Sequence, residues 1–336
     1  MKKSLLTIAL SVISVAGFAS TDAWTYNPTE KTLSWTDSTG FENVFSNVTA
    51  SGKNLTINEP NGSANTLIRN ADFSVGIEDG YALTSIGGNA VSGNLGITNI
   101  VFPSTLTTIN WYAFCNMPVL ETIVFNEGLK SIGDSFRNNT ALKTISGLPS
   151  TLTKFGSPAF GGCTSLNVEI DWPESLTTVN SDFANTAISA FKAPKGLIAV
   201  DGYAAFGGCT NLSYVLLSDV FEYIGRRAFG DNNKIGVKQG IYFKTFPKRG
   251  FHEDAFAGGK SKAITIYMEY SDRDEWRAFA ETNTIYHITM PENFSAEGLM
   301  GKMNSDGTLN DWSCQVLLKW WKDPDKYPMP SVISIF

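Results

Sequence analysis

Apolar residues recur through the middle of this chain at intervals of 22 to 24 residues. The period is clearest at Phe114, Phe136, Phe160, Phe183, Phe206 and Phe229, and Val91 and Phe256 continue it on either side. Alanine stands directly before most of these residues. A period in the twenties with repeated apolar anchors is typical of a solenoid, whose units each bury an apolar side against their neighbours.

Each unit also contains a short alternating run that ends near a proline, as in "IVFP" (100–103), "IDWP" (170–173) and "FKAP" (191–194). Alternation predicts a strand, and equivalent strands of neighbouring units pair into a parallel sheet. We therefore predict a mostly β solenoid of about eight coils, with short helical turns between the strands. Terminal coils would expose their cores, so we expect a cap at each end.

The repeat resembles that of a known group of proteins. The pattern LxxIGxxAFxxCxxLxxIxxP is clearest in "LKSIGDSFRNNTALKTISGLP" (129–149) and "LTKFGSPAFGGCTSLNVEIDWP" (152–173). It is similar to the BspA-like leucine-rich repeats of secreted and surface bacterial proteins. The resemblance implies a leucine-rich-repeat array, which we place at residues 81–267. Ser135 and Asp182 depart from the pattern, because they replace the alanine before the phenylalanine.

The segments on either side of the array have different patterns. Residues 20–80 contain short alternating runs separated by Asn, Gly and Pro, which predicts a small N-terminal β cap. Residues 268–287 include a run with acids in its first turn and one apolar face, which predicts a C-terminal capping helix. Residues 288–336 are predicted to be an appendage of unknown structure, for which a helix over 309–323 is one interpretation.

The N-terminus has the pattern of a secretory signal peptide over residues 1–19. Lys2 and Lys3 precede an apolar run at 4–16, and Gly17 and Ala19 are small residues at a cleavage site. A membrane anchor is the alternative, but the run is shorter than the ~20 residues that a span needs. We therefore expect a secreted or cell-surface protein, with the periplasm as a further possibility and no transmembrane segment after signal removal.

The net charge of the chain and the positions of its cysteines limit the kinds of partner and site that we expect. The net charge is −6, so no basic excess is available to neutralise phosphates, and we expect no nucleic-acid partner. Cys115, Cys163 and Cys209 are predicted to occupy one slot of alternate coils. Such positions lie about 10 Å apart along the stack, beyond the ~7 Å Cα limit for a disulfide, so we interpret the thiols as buried structural groups.

No catalytic or metal-binding pattern emerges from the remaining residues. His252 lies beside Glu253 and Asp254, but adjacent residues on a turn point apart, and we expect a surface histidine. There is no histidine pair or CxxC for zinc, no phosphate loop and no HExxH. We therefore expect no cofactor, no metal and no enzymatic activity.

The predicted strands indicate where a partner would bind. Their anchors point inward, so the residues between them point outward. One outward column is Val101, Val124, Ser146, Asp171, Lys192, Leu216, Tyr242 and Thr265, and a second is Asn99, Thr122, Thr144, Ala190 and Tyr214. A mixed polar and apolar face suits protein or glycan contact better than polyanion binding.

The favoured hypothesis is an exported, non-catalytic, adhesin-like binding protein. It would present the outward face to extracellular or host proteins, matrix or glycans. Two alternatives stay open: a secreted enzyme or enzyme-associated protein with activity outside the repeats, and a structural envelope protein.

Overall fold

The computed structural model describes residues 23–60, 68–130, 132–167, 170–232, 234–235, 240–257, 263–269, 272–282, 287–289 and 315–320. The predicted signal peptide lies outside these residues. The chain forms the predicted solenoid, which is mostly β with about eight turns and little helix. The division into cap, array, capping helix and appendage stays a prediction.

The N-terminal residues form antiparallel strands that continue into the solenoid. Trp24 contacts Trp35, Phe45 and Phe73 with ring centroids 5.1–5.4 Å apart, and its Nε1 donates to the carbonyl of Asp72 at 2.7 Å. These rings cover the apolar end of the first coil. The strands are β1 (Thr25–Asn27), β2 (Thr32–Thr36), β3 (Glu42–Phe45), β4 (Val48–Ser51) and β5 (Asn54–Ile57), with pairings β1–β2, β2–β3 and β4–β5.

Several coils have two strands on different faces, whereas the sequence predicted one in each coil. The first face holds two parallel sheets. One contains β6 (Ala71–Asp72), β8 (Asn99–Val101), β10 (Thr122–Val124) and β11 (Thr144–Ser146). The other begins with β13 (Ala190–Lys192), β15 (Tyr214–Leu216), β17 (Ile241–Phe243) and β19 (Ala263–Met268).

The second face consists of strands mostly two residues long, at the positions of the aliphatic anchors. The antiparallel β4–β5 pair continues in parallel into β7 (Ala82–Ile86) and β9 (Thr108–Ile109). A later sheet contains β12 (Thr178–Val179), β14 (Ala199–Val200), β16 (Tyr223–Ile224) and β18 (Gly250–Phe251). Short 3-10 helices occur at Glu78–Gly80 and Ser181–Phe183.

The anchor phenylalanines form a continuous ladder inside the solenoid. Successive rings stack with centroids 5.4–6.3 Å apart and interplanar angles of 4–21°. The ladder comprises Phe114, Phe136, Phe160, Phe183, Phe206, Phe229 and Phe256, all at most 2% exposed. Each coil contributes one ring, which stacks on the rings of the coils beside it. The stability of a coil therefore depends on its neighbours.

The second residue after each anchor explains why glycine and asparagine recur there. Its φ is positive, from 56° to 79°, in seven coils: Gly93, Asn116, Asn138, Gly162, Asn185, Gly208 and Asp231. Glycine, asparagine and aspartate tolerate this conformation best. A Cβ at Gly162 would lie 2.4 Å from Oδ1 of Asn138 in the preceding coil, so glycine is also needed for space.

The C-terminal end of the array is covered by a helix and by further strands. The helix α1 (Arg273–Thr282) buries Trp276 against Phe243, Phe246 and Phe251, at centroid distances of 5.0–6.1 Å. Beside β19 lie β21 (Gln315–Trp320) and β20 (His287–Thr289), both in parallel pairings. The interpretation of 309–323 as a helix is therefore wrong at 315–320, where the open edge of β19 offers backbone partners along six residues.

Candidate binding surfaces

The first face is interrupted between β11 and β13, where residues 170–172 form no strand. At this break the side-chain Oδ1 of Asn167 accepts a hydrogen bond from the amide of Ser189 at 3.1 Å. In the next coil the backbone carbonyl of Ser189 plays that role for the amide of Ser213, at 3.0 Å. Trp172 packs edge-on against Phe183 and other rings of the core, with the closest centroids 5.1 Å apart. Residues 170–172 are therefore irregular where the sequence predicted a strand.

A cleft of about 580 Å³ opens at the break. It brings together Asp171, which is exposed, and Lys192 of β13, which is half-buried. The complete lining is Asn167, Ile170, Asp171, Trp172, Glu174, Ser189, Ala190, Lys192, Ala193 and Pro194. Carboxylates, a lysine, an amide and an indole thus line a single cavity.

The outward columns predicted from the sequence are present in the N-terminal half of the first face. Asn99, Thr122 and Thr144 pair in register, and so do Val101, Val124 and Ser146. Their side chains are half-exposed, and that of Ser146 is fully exposed. This mixed surface is continuous with the edge of β11 at the break. We call it the outer strand face.

In the C-terminal half of the first face, the prediction of exposed outward residues is wrong for Tyr214, Tyr242 and Thr265, which are buried. Tyr214 is 2% exposed, Tyr242 is 1% exposed and Thr265 is 2% exposed, so none of them is available to a ligand. Tyr242 stacks on Tyr267 with centroids 4.4 Å apart and lies 5.2 Å from Tyr214, and Leu216 packs against the same rings. These aromatics form a second apolar cluster on the outward side of the sheet.

The register of β19 is also different from the predicted one. Tyr242 pairs with Tyr267, two residues beyond Thr265, which the sequence had placed in that column. Burial raises the pKa of Tyr214, Tyr242 and Tyr267, and for Tyr242 the neighbouring phenols add to the effect. The three phenols therefore stay neutral as part of the packed structure.

In several coils the residue three positions after the anchor phenylalanine donates a hydrogen bond to the coil before it. Cys163 Sγ donates to the carbonyl of Phe136 at 3.2 Å, and Cys209 Sγ donates to that of Phe183 at 3.0 Å. In another coil Asn139 Nδ2 donates to Phe114 at 2.9 Å. Cysteine and asparagine both occur in this slot because the side chain of each can donate to this buried carbonyl.

Cys115 was predicted to share that slot, and the structure shows that it does not. It directly follows Phe114, and its Sγ contacts the carbonyl of Asp134 at 3.7 Å. The anchors Phe114 and Phe160 are 46 residues apart, and the spacing of 48 from Cys115 to Cys163 arises because Cys115 stands one residue after its anchor and Cys163 three. All three thiols are nevertheless buried and free, as the structural interpretation expects.

We expect the three array thiols to resist modification in the folded protein. Burial raises the pKa of Cys115 to about 11 and of Cys163 to about 12, and it also raises that of Cys209. At pH 8 only about one in a thousand Cys115 thiols is ionised, and the thiolate is the reactive form.

The measurement is labelling of a Cys314→Ser variant with Ellman's reagent, since Cys314 lies outside the described residues. We expect three thiols to react in denaturant and none to react within minutes in native buffer. Rapid native labelling of any of them would contradict the buried role.

Sequence reasoning missed one surface altogether. Trp111 is 73% exposed and Tyr203 is 55% exposed, and both stand three residues before an anchor phenylalanine. Tyr112, beside Trp111, is 42% exposed. The signal was available, because aligning the coils on the phenylalanines puts both aromatics in one polar slot. We call this slot, at Gly88, Trp111, Gly133, Ser157, Asn180, Tyr203, Arg226 and Glu253, the corner column.

The described residues contain neither a candidate metal cluster nor a candidate membrane-spanning helix. None of their His, Cys, Asp and Glu side chains come together in a group of three or more that could hold a metal ion. No helix in the same residues is long and apolar enough to cross a bilayer. His252 accepts a hydrogen bond at Nδ1 from the amide of Asp254, at 3.0 Å.

The parallel strands, the phenylalanine ladder and the donor slot define a leucine-rich-repeat solenoid. The model of the BspA type leucine rich repeat region matches residues 73–182, 134–252 and 179–298, with six copies of the repeat. These matches cover more than half of the chain, and the protein belongs to this family. No curated protein matches the chain.

Several solved structures are similar to this chain. A leucine rich repeat protein of T. pallidum is 20% identical, with 57% of this chain and 89% of that one covered and a TM-score of 0.47. A leucine-rich repeat protein from Bacteroides ovatus is 23% identical, with 89% and 77% covered and a TM-score of 0.42. A leucine rich cell surface protein from Faecalibacterium prausnitzii is 15% identical, with 74% and 90% covered and a TM-score of 0.28.

Proposed function

We propose that this protein is an exported, non-catalytic binding protein that holds an extracellular protein on the first face of its solenoid. The observation that carries the proposal is the cleft at the sheet break, where Asp171 and Lys192 line one cavity. It opens beside the outer strand face, so a partner can contact both. Membership of a repeat family supports a binding role, since repeats of this kind present extended surfaces.

The chemistry of the cleft favours a polypeptide partner. Both charge signs are present, with Asp171 and Glu174 against Lys192, and Trp172 adds an aromatic wall. Oppositely charged groups fix the orientation of a partner, while aromatic side chains supply buried contact area. The columns of β8, β10 and β11 add a half-exposed surface of threonine, asparagine and valine. The covered tyrosines of the C-terminal half lie outside the proposed interface.

Reversing the two opposite charges of the cleft should weaken binding. We expect Asp171→Lys with Lys192→Glu to raise the Kd for the partner about tenfold or more. Each group of the partner that faced an opposite charge in the cleft would then face a charge of its own sign. The measurement is surface plasmon resonance of the purified protein over immobilised fibronectin, laminin and type I collagen. The matched control swaps a surface ion pair elsewhere, Asp219→Lys with Lys244→Asp, whose charged atoms are 3.1 Å apart in the native protein.

The outcomes separate the candidate functions. Unchanged affinity in a folded double variant removes the cleft as the interface. Hydrolysis of a peptide or glycan panel by the same preparation favours the enzyme alternative. Binding that is lost in the control swap as well points to non-specific charge effects.

A further inference from the structure

We propose that the corner column is a second binding site, which takes a neutral oligosaccharide. Its two aromatic residues, Trp111 and Tyr203, are separated by four coils, which corresponds to about 19 Å at ~4.8 Å per coil. The column lies beside the second face of the coil. It is therefore separate from the cleft and the outer strand face.

The position of Trp111 leaves its indole without neighbours in its own slot. The equivalent residues of the adjacent coils are Gly88 and Gly133, which have no side chains. A Cβ at Gly88 would lie 3.2 Å from the carbonyl oxygen of Trp111, and one at Gly133 would lie 3.0 Å from that of Ile109. The close approach of the coils thus keeps these two positions small, and the exposed ring stands alone.

The residues that follow the two aromatics are held in an uncommon conformation. Tyr112 has φ of 58° and Ala204 has φ of 60°, in the left-handed region that side chains with a Cβ seldom occupy. Such backbone geometry persists where the surrounding structure enforces it, and it is frequent at ligand sites.

Tyr203 is held by two arginines of the next coil. The Cζ atoms of Arg226 and Arg227 lie 5.7 and 5.8 Å from its ring centroid, and Nη1 of Arg227 is 3.4 Å from its hydroxyl. Arg226 also pairs with Asp254 at 3.3 Å, and Arg227 pairs with Asp231 at 2.9 Å. The ring is therefore oriented while more than half of the side chain stays exposed.

Three main-chain amides of the corner are already engaged in hydrogen bonds between neighbouring coils. The amide of Asn89 donates to Trp111 at 3.2 Å, and that of Tyr112 donates to Asp134 at 2.7 Å. The amide of Ala204 donates to Arg226 at 3.0 Å. An extended peptide could not pair with these three amides by strand addition. The exposed side chains are the groups that a ligand would contact.

The charges along the column argue against an anionic ligand. The arginines near Tyr203 are paired with Asp254 and Asp231, and Asp134 and Asp201 contribute further carboxylates. The chain as a whole carries −6. A polyanion would meet no net positive surface, so a neutral ligand is the complementary one.

A neutral oligosaccharide satisfies these constraints. The C–H face of a sugar ring complements the negative face of an aromatic ring, so Trp111 and Tyr203 can each take one ring. Between them, Ser157 is exposed and Asn180 is half-exposed, which offers donors and acceptors to sugar hydroxyls. A chain of several sugars is needed to reach both aromatics.

The test is isothermal titration of the purified protein with cellohexaose, laminarihexaose, maltohexaose and mannohexaose, and with the disaccharide of each. We expect at least one hexasaccharide to bind, and to bind much more tightly than its disaccharide. Trp111→Ala should weaken hexasaccharide binding about tenfold or more, while Trp111→Tyr should retain most of it. Tyr203→Ala should reduce the advantage of the hexasaccharide over the disaccharide.

Two controls make the result specific. Leu95→Ala removes an apolar side chain that is 63% exposed and outside the column, and it should change nothing. The double charge reversal at Asp171 and Lys192 should leave sugar binding unchanged. A negative result for the cleft therefore does not count against the sugar site, and a negative result for the sugar site does not count against the cleft. The inference is overturned if no hexasaccharide binds. It is also overturned if Trp111→Ala with Tyr203→Ala binds as the native protein does, or if heparin oligosaccharides bind in preference.

Discussion

Replacing Asp182 by alanine will stabilise the protein at neutral pH. Asp182 is fully buried in the slot that holds Ala113, Ala159, Ala205 and Ala228 in other coils. Its Oδ2 accepts a hydrogen bond from the amide of Asn180 at 2.7 Å, but its Oδ1 has no hydrogen-bond partner among the described residues. A buried carboxylate with an unsatisfied oxygen destabilises the fold, and alanine removes it.

The gain should depend on pH in a defined direction. Burial raises the pKa of Asp182 from 3.8 to about 7, although backbone amides partly oppose the shift. Well below pH 3.8 the carboxyl is protonated in both the folded and the unfolded states, and no penalty applies. As the pH rises towards 7, only the unfolded state ionises, so the native protein loses stability, on the order of 4 kcal/mol in total. Alanine should recover most of this, less about 1 kcal/mol for the lost hydrogen bond.

Urea unfolding of both proteins at several pH values between 4 and 8 measures the effect. We expect the difference in the free energy of unfolding to grow with pH and to level off above pH 7. Leu95→Ala, at an exposed side chain that does not ionise, is the control and should give a difference that is constant with pH. Parallel stability curves for Asp182→Ala and the native protein would show that the buried carboxyl carries no penalty.

Replacing Phe160 by alanine will have the largest destabilising effect that we predict. Its ring stacks on Phe136 and on Phe183, with centroids 5.5 Å away in each case, and it meets Phe155 edge-on at 5.9 Å. Truncation of a buried phenylalanine costs about 3–5 kcal/mol, through lost contacts and the cavity that is left. Since each coil is held by its neighbours, the loss should spread along the ladder.

Thermal and urea unfolding measure the loss, and hydrogen exchange locates it. We expect amide protection to fall most in the coils between Phe136 and Phe183. Trp111→Ala is the matched control, because it removes a larger aromatic side chain that is 73% exposed, and it should change stability little. Equal destabilisation by the two substitutions would mean that the ladder does not hold the coils together.

Much of the fold could be predicted because the same spacing of buried residues and turn residues recurs from coil to coil. A single "AFGGC" is ambiguous, but seven aligned copies fix which residues are buried and which turn the chain. The left-handed position two residues after each anchor is an example, since Gly162 and Asn138 alternate there for one conformational reason. The strands of the second face were missed because most of them are two residues long, which is too short to show alternation.

The candidate site was predicted only in part, because the accessibility of its residues depends on packing between coils. Alternation indicated correctly that Val101 and Val124 point away from the core, yet it could not show that Tyr242 is covered. Thr265 was placed in the wrong column because the coil before it is longer, and sequence length does not say where a loop absorbs extra residues. Asp171 was assigned to a strand that the structure interrupts.

The sequence by itself determined the solenoid, its inward anchors and its membership of a repeat family, because these depend on local spacing repeated from coil to coil. Tertiary structure decided which outward positions are accessible. It buried Tyr214 and Tyr242, opened the cleft between Asp171 and Lys192, and placed Trp111 and Tyr203 on one corner. Accessibility depends on what packs over a residue from distant parts of the chain, and no local pattern records that.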